Sequence, residues 1–386
     1  VCKEVLNMNI LIAADSFKGS CSARQVTDTI ERAAKNVLPD VTVTKIPVAD
    51  GGEGTVDALI VAMHGTKVTV PVHDPLGRPI TAEYGLLPDG SAVIETAAAS
   101  GLTLLKPEER DALHASTFGT GELICHALKH GVKKLILGLG GSATTDGGAG
   151  LARALGISFL DPAGRELGPG GVHLSELASI STDGLLKEAA GCEFVVACDV
   201  KNHLCGALGA AAVFGPQKGA DENQIKILDE ALAHYAAILK DKLHCDAADT
   251  DGSGAAGGLL CGILPYFPVT ICSGIDLVLD LTDFDEHVRH TDLVITGEGR
   301  IDFQSALGKV PVGVASRAKK IRNVPVIAIA GAKGEGCETL YSFGIDAIFD
   351  TVPGVMPLED VMRHAEANLE KTSENLFRLF QLGRSR

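Results

Sequence analysis

Residues 8–20 read Met8-Asn9-Ile10-Leu11-Ile12-Ala13-Ala14-Asp15-Ser16-Phe17-Lys18-Gly19-Ser20, an almost unbroken apolar run that stops at a carboxylate. Such a run is the pattern of a strand buried on both faces, as in a parallel sheet. A helix follows it. Ser22 with Gln25 three residues later makes a capping box, and Val26, Ile30, Ala33, Ala34 and Val37 recur at helical spacing until Pro39. Val41–Ile46 alternates as a second strand, and Thr55–Met63 reads as the next helix. This β-α-β-α order predicts a parallel sheet. Val1 to Asn7 precede the strand and are set aside from fold reasoning.

The pattern then changes. Val68–Val72, Pro79–Leu87 and Ser91–Thr96 are short strands joined by Asp74-Pro75-Leu76-Gly77 and Pro88-Asp89-Gly90 turns, which predicts an antiparallel meander. Further strands are expected at Lys134–Gly138 and Phe194–Cys198. Near Asp292 the first pattern returns, with short buried strands at Leu293–Thr296, Pro325–Ala330 and Ala347–Thr351. One long amphipathic helix is expected to close the chain, with Leu358, Val361, Met362, Ala365, Leu369, Leu376 and Phe380 along one face. The expected fold is therefore α/β: a doubly wound, mostly parallel sheet domain formed by both chain ends (8–63 plus 288–386), with a second, mixed α/β domain (64–287) inserted. A cleft between two such domains is the expected place for a ligand.

Composition narrows the function. With 386 residues and 46 % apolar content, the chain can fill sizeable cores. A formal net charge of −15 with no basic stripe argues against nucleic acid and anionic lipid as partners. The 10 cysteines are scattered without a C-x-x-C pair, so reduced thiols in a cytoplasmic protein are expected rather than a disulfide framework or a zinc site. No apolar run approaches 20 residues. A homo-oligomer is compatible with the sequence.

The chemistry is expected in loops that mix glycine with carboxylates and lysines. Asp15-Ser16-Phe17-Lys18-Gly19-Ser20 leaves a strand and feeds a helix N-terminus, a standard anion-binding position, where Asp15 could hold a metal or a hydroxyl. Asp50-Gly51-Gly52-Glu53-Gly54-Thr55 leaves the second strand with two carboxylates among three glycines, which suits close backbone approach to a ligand. Gly138 to Gly150 has three readings. Gly138, Gly140 and Ala143 match G-x-G-x-x-A with Asp161 beyond the next strand, as in a dinucleotide fold. Thr144–Gly150 is similar to the anion hole of ribokinase-like sugar kinases, but without the acidic residue that ends that motif. Alternatively the run is a phosphate-cradling nest, with Ser142, Thr144 and Thr145 as donors and Asp146 as metal ligand or base. Asp199-Val200-Lys201-Asn202, Phe214-Gly215-Pro216-Gln217-Lys218-Gly219 and the turn Gly297-Glu298-Gly299-Arg300-Ile301-Asp302 repeat the style. Walker-type, G-x-S-x-G and H-E-x-x-H motifs do not occur.

Together these strings resemble the type I glycerate kinases. The matching segments are Ala14–Ser20, Pro47–Thr55, Asp74–Pro79, Gly138–Gly150, Cys198-Asp199-Val200, Phe214–Gly219 and Thr296–Asp302 with Gly308-Lys309, in family order over most of the chain. The resemblance implies an enzyme using ATP and Mg²⁺ to phosphorylate glycerate, 2-phosphoglycerate being the favoured product, within organic-acid and glyoxylate–glycerate metabolism. It gives the loops expected roles. Lys18, Asp199, Arg300 and Asp50 would act in catalysis: Lys18 and Arg300 on anionic oxygens, Asp199 or Asp50 on the attacking hydroxyl. Asp15, Ser16, Glu53 and Arg78 would bind substrate. Gly140, Gly141, Ser142, Thr144 and Lys218 would hold nucleotide phosphates, and Asp146, Glu298 and Asp302 the metal. The alternatives are an NAD-dependent hydroxy-acid dehydrogenase and a non-enzymatic two-domain binding protein for an organic acid.

Overall fold

The structure, a computed structural model, describes residues 8–384; the residues set aside before Met8 lie outside that range. Its strands are β1 (Asn9–Ala14), β2 (Thr42–Pro47), β3 (Thr66–His73), β4 (Pro79–Leu86), β5 (Ala92–Glu95), β6 (Lys134–Gly138), β7 (Ser158–Leu160), β8 (Ser179–Ser181), β9 (Glu193–Ala197), β10 (Val269–Cys272), β11 (Leu293–Ile301), β12 (Val326–Lys333) and β13 (Ala347–Asp350). The fold is mixed α/β with largely parallel sheets. The chain divides into two compact units, the first comprising residues up to Asp50, Asp57–His64 and Ile275 onward, the second Gly51–Val56 and Gly65–Gly274.

In the first unit five strands lie in the order β13-β12-β11-β1-β2, all parallel. The interior strand β1 is buried from Ile10 to Ala14, which explains its continuous apolar sequence. The capping box forms: the Ser22 hydroxyl accepts from Gln25 N–H and Gln25 Oε1 accepts from Ser22 N–H. Helix Ala23–Val37 then buries Val26, Ile30, Ala33 and Ala34 in a core shared with Ile10, Ile12, Leu369 and Phe377.

Two expectations change here. β11 does not end at Thr296 in a Gly-Glu-Gly-Arg turn but continues to Ile301, paired with β12 as far as Ile301↔Lys333. Glycine makes this approach sterically open: a Cβ on Gly297 would lie 2.2 Å from Ile329 O, and one on Gly331 2.4 Å from Gly299 O. The closing helix is broken at His364 into Leu358–Arg363 and Ala365–Arg384. Leu358 is exposed because the first piece buries no residue, whereas Ala365, Leu369, Leu376 and Phe377 carry the packing.

In the second unit six strands lie in the order β10-β9-β6-β5-β4-β3. The expected meander is antiparallel from β3 to β5, but β5 also pairs parallel with β6. β7 pairs with β8 in a separate two-stranded antiparallel sheet, and not with β6. The dinucleotide reading needs β6 and β7 as parallel neighbours of one βαβ unit, so this pairing removes it. Asp161, its expected ribose acceptor, instead receives the Arg165 guanidinium at 2.7 Å in a turn.

Helix Phe118–Lys129 covers this sheet through Leu123, Ile124, Ala127 and Leu128. Its Gly121 sits where a Cβ would lie 2.6 Å from both Ala154 Cβ and Leu151 O of the neighbouring helix. Gly→Ala inside a helix ordinarily stabilises by about 1 kcal/mol. Here overpacking against backbone should reverse the sign, so Gly121→Ala is expected to destabilise by about 1–3 kcal/mol. Urea unfolding checks this, and an unchanged or raised midpoint would contradict it.

Candidate active site

The first constellation lies at the carboxyl ends of β1, β2 and β11. From β1 the chain winds outward to β2, and from β11 it winds the opposite way to β12 and β13. The β1–β11 junction is therefore the topological switch point, where an open α/β sheet leaves a crevice for ligands. Asp15 stands there at the end of β1, its N–H donating to Gly297 O at 2.9 Å, and Glu298 is the next residue of β11.

The loop after β1 is tight. Ser16 N–H donates to Asp15 Oδ1 at 2.5 Å, Ser20 N–H to Phe17 O at 2.8 Å, and Phe17 is buried as the anchor. Gly19 takes φ +79°, a left-handed conformation that favours glycine. Lys18 is exposed beyond the anchor. Gly299 admits this loop: a Cβ there would lie 3.1 Å from Lys18 N and 3.2 Å from Phe17 Cα.

Three carboxylates share this field. Burial raises the Asp15 pKa to about 7, and the charges of Asp50 and Glu298 push in the same direction against hydrogen bonds from Ser16. Burial likewise raises Glu298 to about 6, aided by Asp50 and Asp302 and opposed by the Ser305 hydroxyl and the Lys309 charge. The Ser305 hydroxyl donates to Glu298 Oε1. Like charges held together in a half-buried place suit a cation or a bound proton. Among the described residues no three His, Cys, Asp or Glu side chains form a ready-made metal cage. A cation there would take part of its coordination from ligand and water, as Mg²⁺ commonly does. Asp302 is occupied otherwise: Oδ1 caps a short helix through Gln304 N–H at 3.0 Å, and Oδ2 receives Arg300 Nε at 3.1 Å. Arg300 remains largely exposed.

The second constellation belongs to the other unit and is made by backbones crossing at close range. A Cβ on Gly138 would lie 2.6 Å from Gly51 O, one on Gly140 2.7 Å from Gly52 Cα, and one on Gly51 2.7 Å from Ala197 Cβ. The Asp50–Thr55 glycines, the Gly138–Gly141 turn and the end of β9 thus meet. Glu53 is exposed on this loop. Asp199, just past β9, accepts Gly274 N–H at 3.1 Å. Gly140 is half-buried and Gly141 exposed, but Ser142 through Gly150 are buried.

That burial separates the expected nucleotide residues. The Ser142 and Thr144 hydroxyls bond each other at 2.8 Å, and Thr144 N–H donates to Ser142 Oγ. The Asp146 carboxylate accepts from Thr117 N–H at 2.8 Å, from the Thr117 hydroxyl, and from Gly148 and Gly150 N–H at 3.1 Å each. Burial raises its pKa while these bonds favour the charged form. Its oxygens are committed to donors of the protein, the arrangement of a carboxylate that holds a loop. Lys218 is buried as well, its ammonium donating to Thr144 O. Arg78 lies on the β3–β4 turn, where Asp74 accepts from it at 2.5 Å and Glu109 at 2.9 Å, and both bonds serve the turn.

Sequence reading missed two contributors. Glu95, at the end of β5, accepts Val56 N–H at 2.8 Å and so caps helix Thr55–Met63. Gly252-Ser253-Gly254-Ala255-Ala256-Gly257-Gly258 packs directly on the buried loop: Gly147 N–H donates to Gly257 O at 3.0 Å, and a Cβ on Gly257 would lie 2.0 Å from Thr144 O. Four glycines in seven residues were the available signal. Ala256 there takes φ +50°.

Known proteins share this architecture. The model of the glycerate kinase family matches residues 10–381. The chain is 48 % identical to a glycerate kinase of Bacillus subtilis (strain 168), over 98 % of this chain and 99 % of the relative. It is 45 % identical to the glycerate 2-kinase of Escherichia coli (strain K12), over 97 % and 99 % respectively. A crystal structure provisionally assigned as glycerate kinase 2 from Salmonella typhimurium LT2 superposes with a TM-score of 0.89 at 45 % identity, covering 98 % of this chain and all of that one. The two constellations thus sit on a framework shared along nearly its whole length, and the chain belongs to the glycerate kinase family.

Proposed function

We propose that this protein transfers the γ-phosphoryl group of ATP to glycerate, with the 2-hydroxyl as acceptor, and that it does so in the cytoplasm. Family membership supports the reaction, and the Escherichia coli relative carries the name glycerate 2-kinase. Among the described residues no helix is long and apolar enough to cross a membrane. The observation that carries the reading is the carboxylate cluster at the β1–β11 switch point, with the exposed Lys18 on the adjoining loop.

Phosphoryl transfer needs positioning and neutralisation of charge more than covalent chemistry. Glycerate presents a carboxylate and two hydroxyls. Lys18 and Arg300 are proposed to bind anionic oxygens, as an ammonium point charge and a planar guanidinium suit. Asp15 and Ser16, fixed to one another, are proposed to orient the substrate, with Glu53 from the glycine loop. Asp50 or Asp199 is proposed to accept the proton of the attacking hydroxyl. Glu298 is proposed to hold Mg²⁺ beside Asp15. When bound, the cation would neutralise phosphate charge and offset the mutual repulsion of these carboxylates. Gly140 and Gly141 are the proposed phosphate contacts of the second constellation. Asp146 and Lys218 are proposed to act through that loop, Asp302 to orient Arg300, and Arg78 to hold its turn.

ADP release coupled to a spectrophotometric readout, with D-glycerate as acceptor, tests the reaction, and phosphorus NMR of the product tests the position. Absence of ADP release would refute the activity, while a 3-phospho product would refute only the regiochemistry. Lys18→Ala is expected to lower kcat/KM by about 10²-fold or more, at unchanged Tm, because it removes a charge on the reacting anion. Near-normal turnover would remove Lys18 from the site. Glu298→Gln is expected to raise the Mg²⁺ concentration for half-maximal rate by roughly 10–100-fold. The same Mg²⁺ dependence as wild type would exclude Glu298 as a ligand.

A further inference from the structure

Lys218 is a buried charge with no direct part in the proposed reaction. It ends the turn Pro216–Lys218 and is only 2 % exposed. Its ammonium donates to the carbonyl of Thr144. That carbonyl is also confined from another side, because a Cβ on Gly257 would lie 2.0 Å from it. Two residues on, the buried Asp146 gathers the N–H groups of Thr117, Gly148 and Gly150. The Asp146 charge favours the charged form of Lys218 against a burial that lowers its pKa to about 7.

A buried ammonium is costly, and an apolar side chain of the same length commonly packs at least as well. What Met could not do is pin a carbonyl. In a trans peptide the C=O and the following N–H point in opposite directions, so fixing Thr144 O fixes the Thr144–Thr145 peptide plane. Upstream the restraint is passed on through short bonds. Thr144 Oγ1 bonds Ser142 Oγ at 2.8 Å, Ala143 N–H donates to Ser100 O at 2.8 Å, and Leu102 N–H donates to Gly141 O at 2.8 Å. The end of this chain is the Gly140–Gly141 turn, and Gly141 is exposed with φ +75°. Glycine has no side chain to hold itself in such a conformation.

We infer that Lys218 is a positioning residue: its ammonium, clamped on Thr144 O beside Asp146, fixes the shape of the exposed Gly140–Gly141 turn for nucleotide phosphate. This rests on the proposed kinase reading for the identity of the ligand, but the clamp itself is a property of the unliganded protein. Lys218 acts through the loop and touches no reacting atom.

Three proteins test it: wild type, Lys218→Met, and the double variant Lys218→Met with Asp146→Asn, which removes both buried charges should the single variant fail to fold. Hydrogen exchange of unliganded protein is expected to quicken by at least about tenfold in peptides covering 139–147, but not in peptides covering β11. Steady-state kinetics are expected to show a KM for ATP raised by about tenfold or more, with the KM for glycerate within about twofold. Lys218→Arg, which keeps the donor, is expected to recover part of the ATP affinity. Unchanged loop exchange in whichever charge-removed variant folds would overturn the inference. So would equal increases in both KM values, or a lowered Tm and kcat with both KM values unchanged, which are the marks of a purely structural lysine. If wild type releases no ADP with glycerate, the kinase reading fails separately, and the exchange experiment still decides whether Lys218 holds the loop.

Discussion

The ladder between β1 and β11 is the constraint on which the first unit depends. It pairs Ile10 with Leu293 and Ala14 with Gly297, and at its start Asn9 N–H donates to Asp292 Oδ2 at 2.9 Å across 283 residues of sequence. β1 with β2 would not make a stable sheet alone, since two strands bury too little. The contacts are non-local, and their loop-closure cost grows only slowly with length. Once formed, the ladder leaves no freedom over which loops are neighbours. Asp15 must end beside Glu298 because Ala14 is in register with Gly297. The like charges are thus consequences of strand register, held by the burial of Leu11, Ile12, Ile295 and Ile329.

The second unit reaches its result by contact between backbones. Gly138, Gly140, Gly51 and Gly257 each occupy places where a Cβ would meet another atom at under 3 Å. Their glycines therefore serve the crossing of chains. Only Gly140 and Gly141 stand at the accessible end of the run. The run from Ser142 to Gly150, which reads from sequence as a phosphate cradle, is buried: the Ser142 and Thr144 hydroxyls bond each other, Asp146 accepts from Thr117, Gly148 and Gly150, and Thr145 Oγ1 has no hydrogen-bond partner among the described residues.

Much of this is legible in the amino-acid sequence. The apolar run of β1, the Ser22–Gln25 capping box and the helix Thr55–Met63 depend on local periodicity and local hydrogen bonds, which sequence records directly. So does the motif set that marks the family. Other features depend on partners far along the chain. The extension of β11 to Ile301 arises from Ile329 and Lys333 in β12, and without them Gly-Glu-Gly-Arg looks like a turn. Whether β7 joins β6 or β8 is decided by sheet pairing, which three residues cannot announce. The burial of Lys218 and Asp146 cannot be read from sequence, because burial has no local signature. Glu95 carries no motif at all, and its capping role emerges only when Val56 N–H is placed beside it.

Carboxylates in the two units differ in their surroundings. Asp146 accepts from Thr117, Gly148 and Gly150, whose bonds favour its ionised form while burial opposes it. Asp15 is surrounded differently: burial and two carboxylates, Asp50 and Glu298, oppose its ionisation, and hydrogen bonds from Ser16 favour it. A fold optimised for stability alone has no reason to gather three acids at a switch point. Their repulsion persists because the sheet over-determines their positions. Lys309 already brings positive charge to Glu298, and a bound cation would add to it in the same sense.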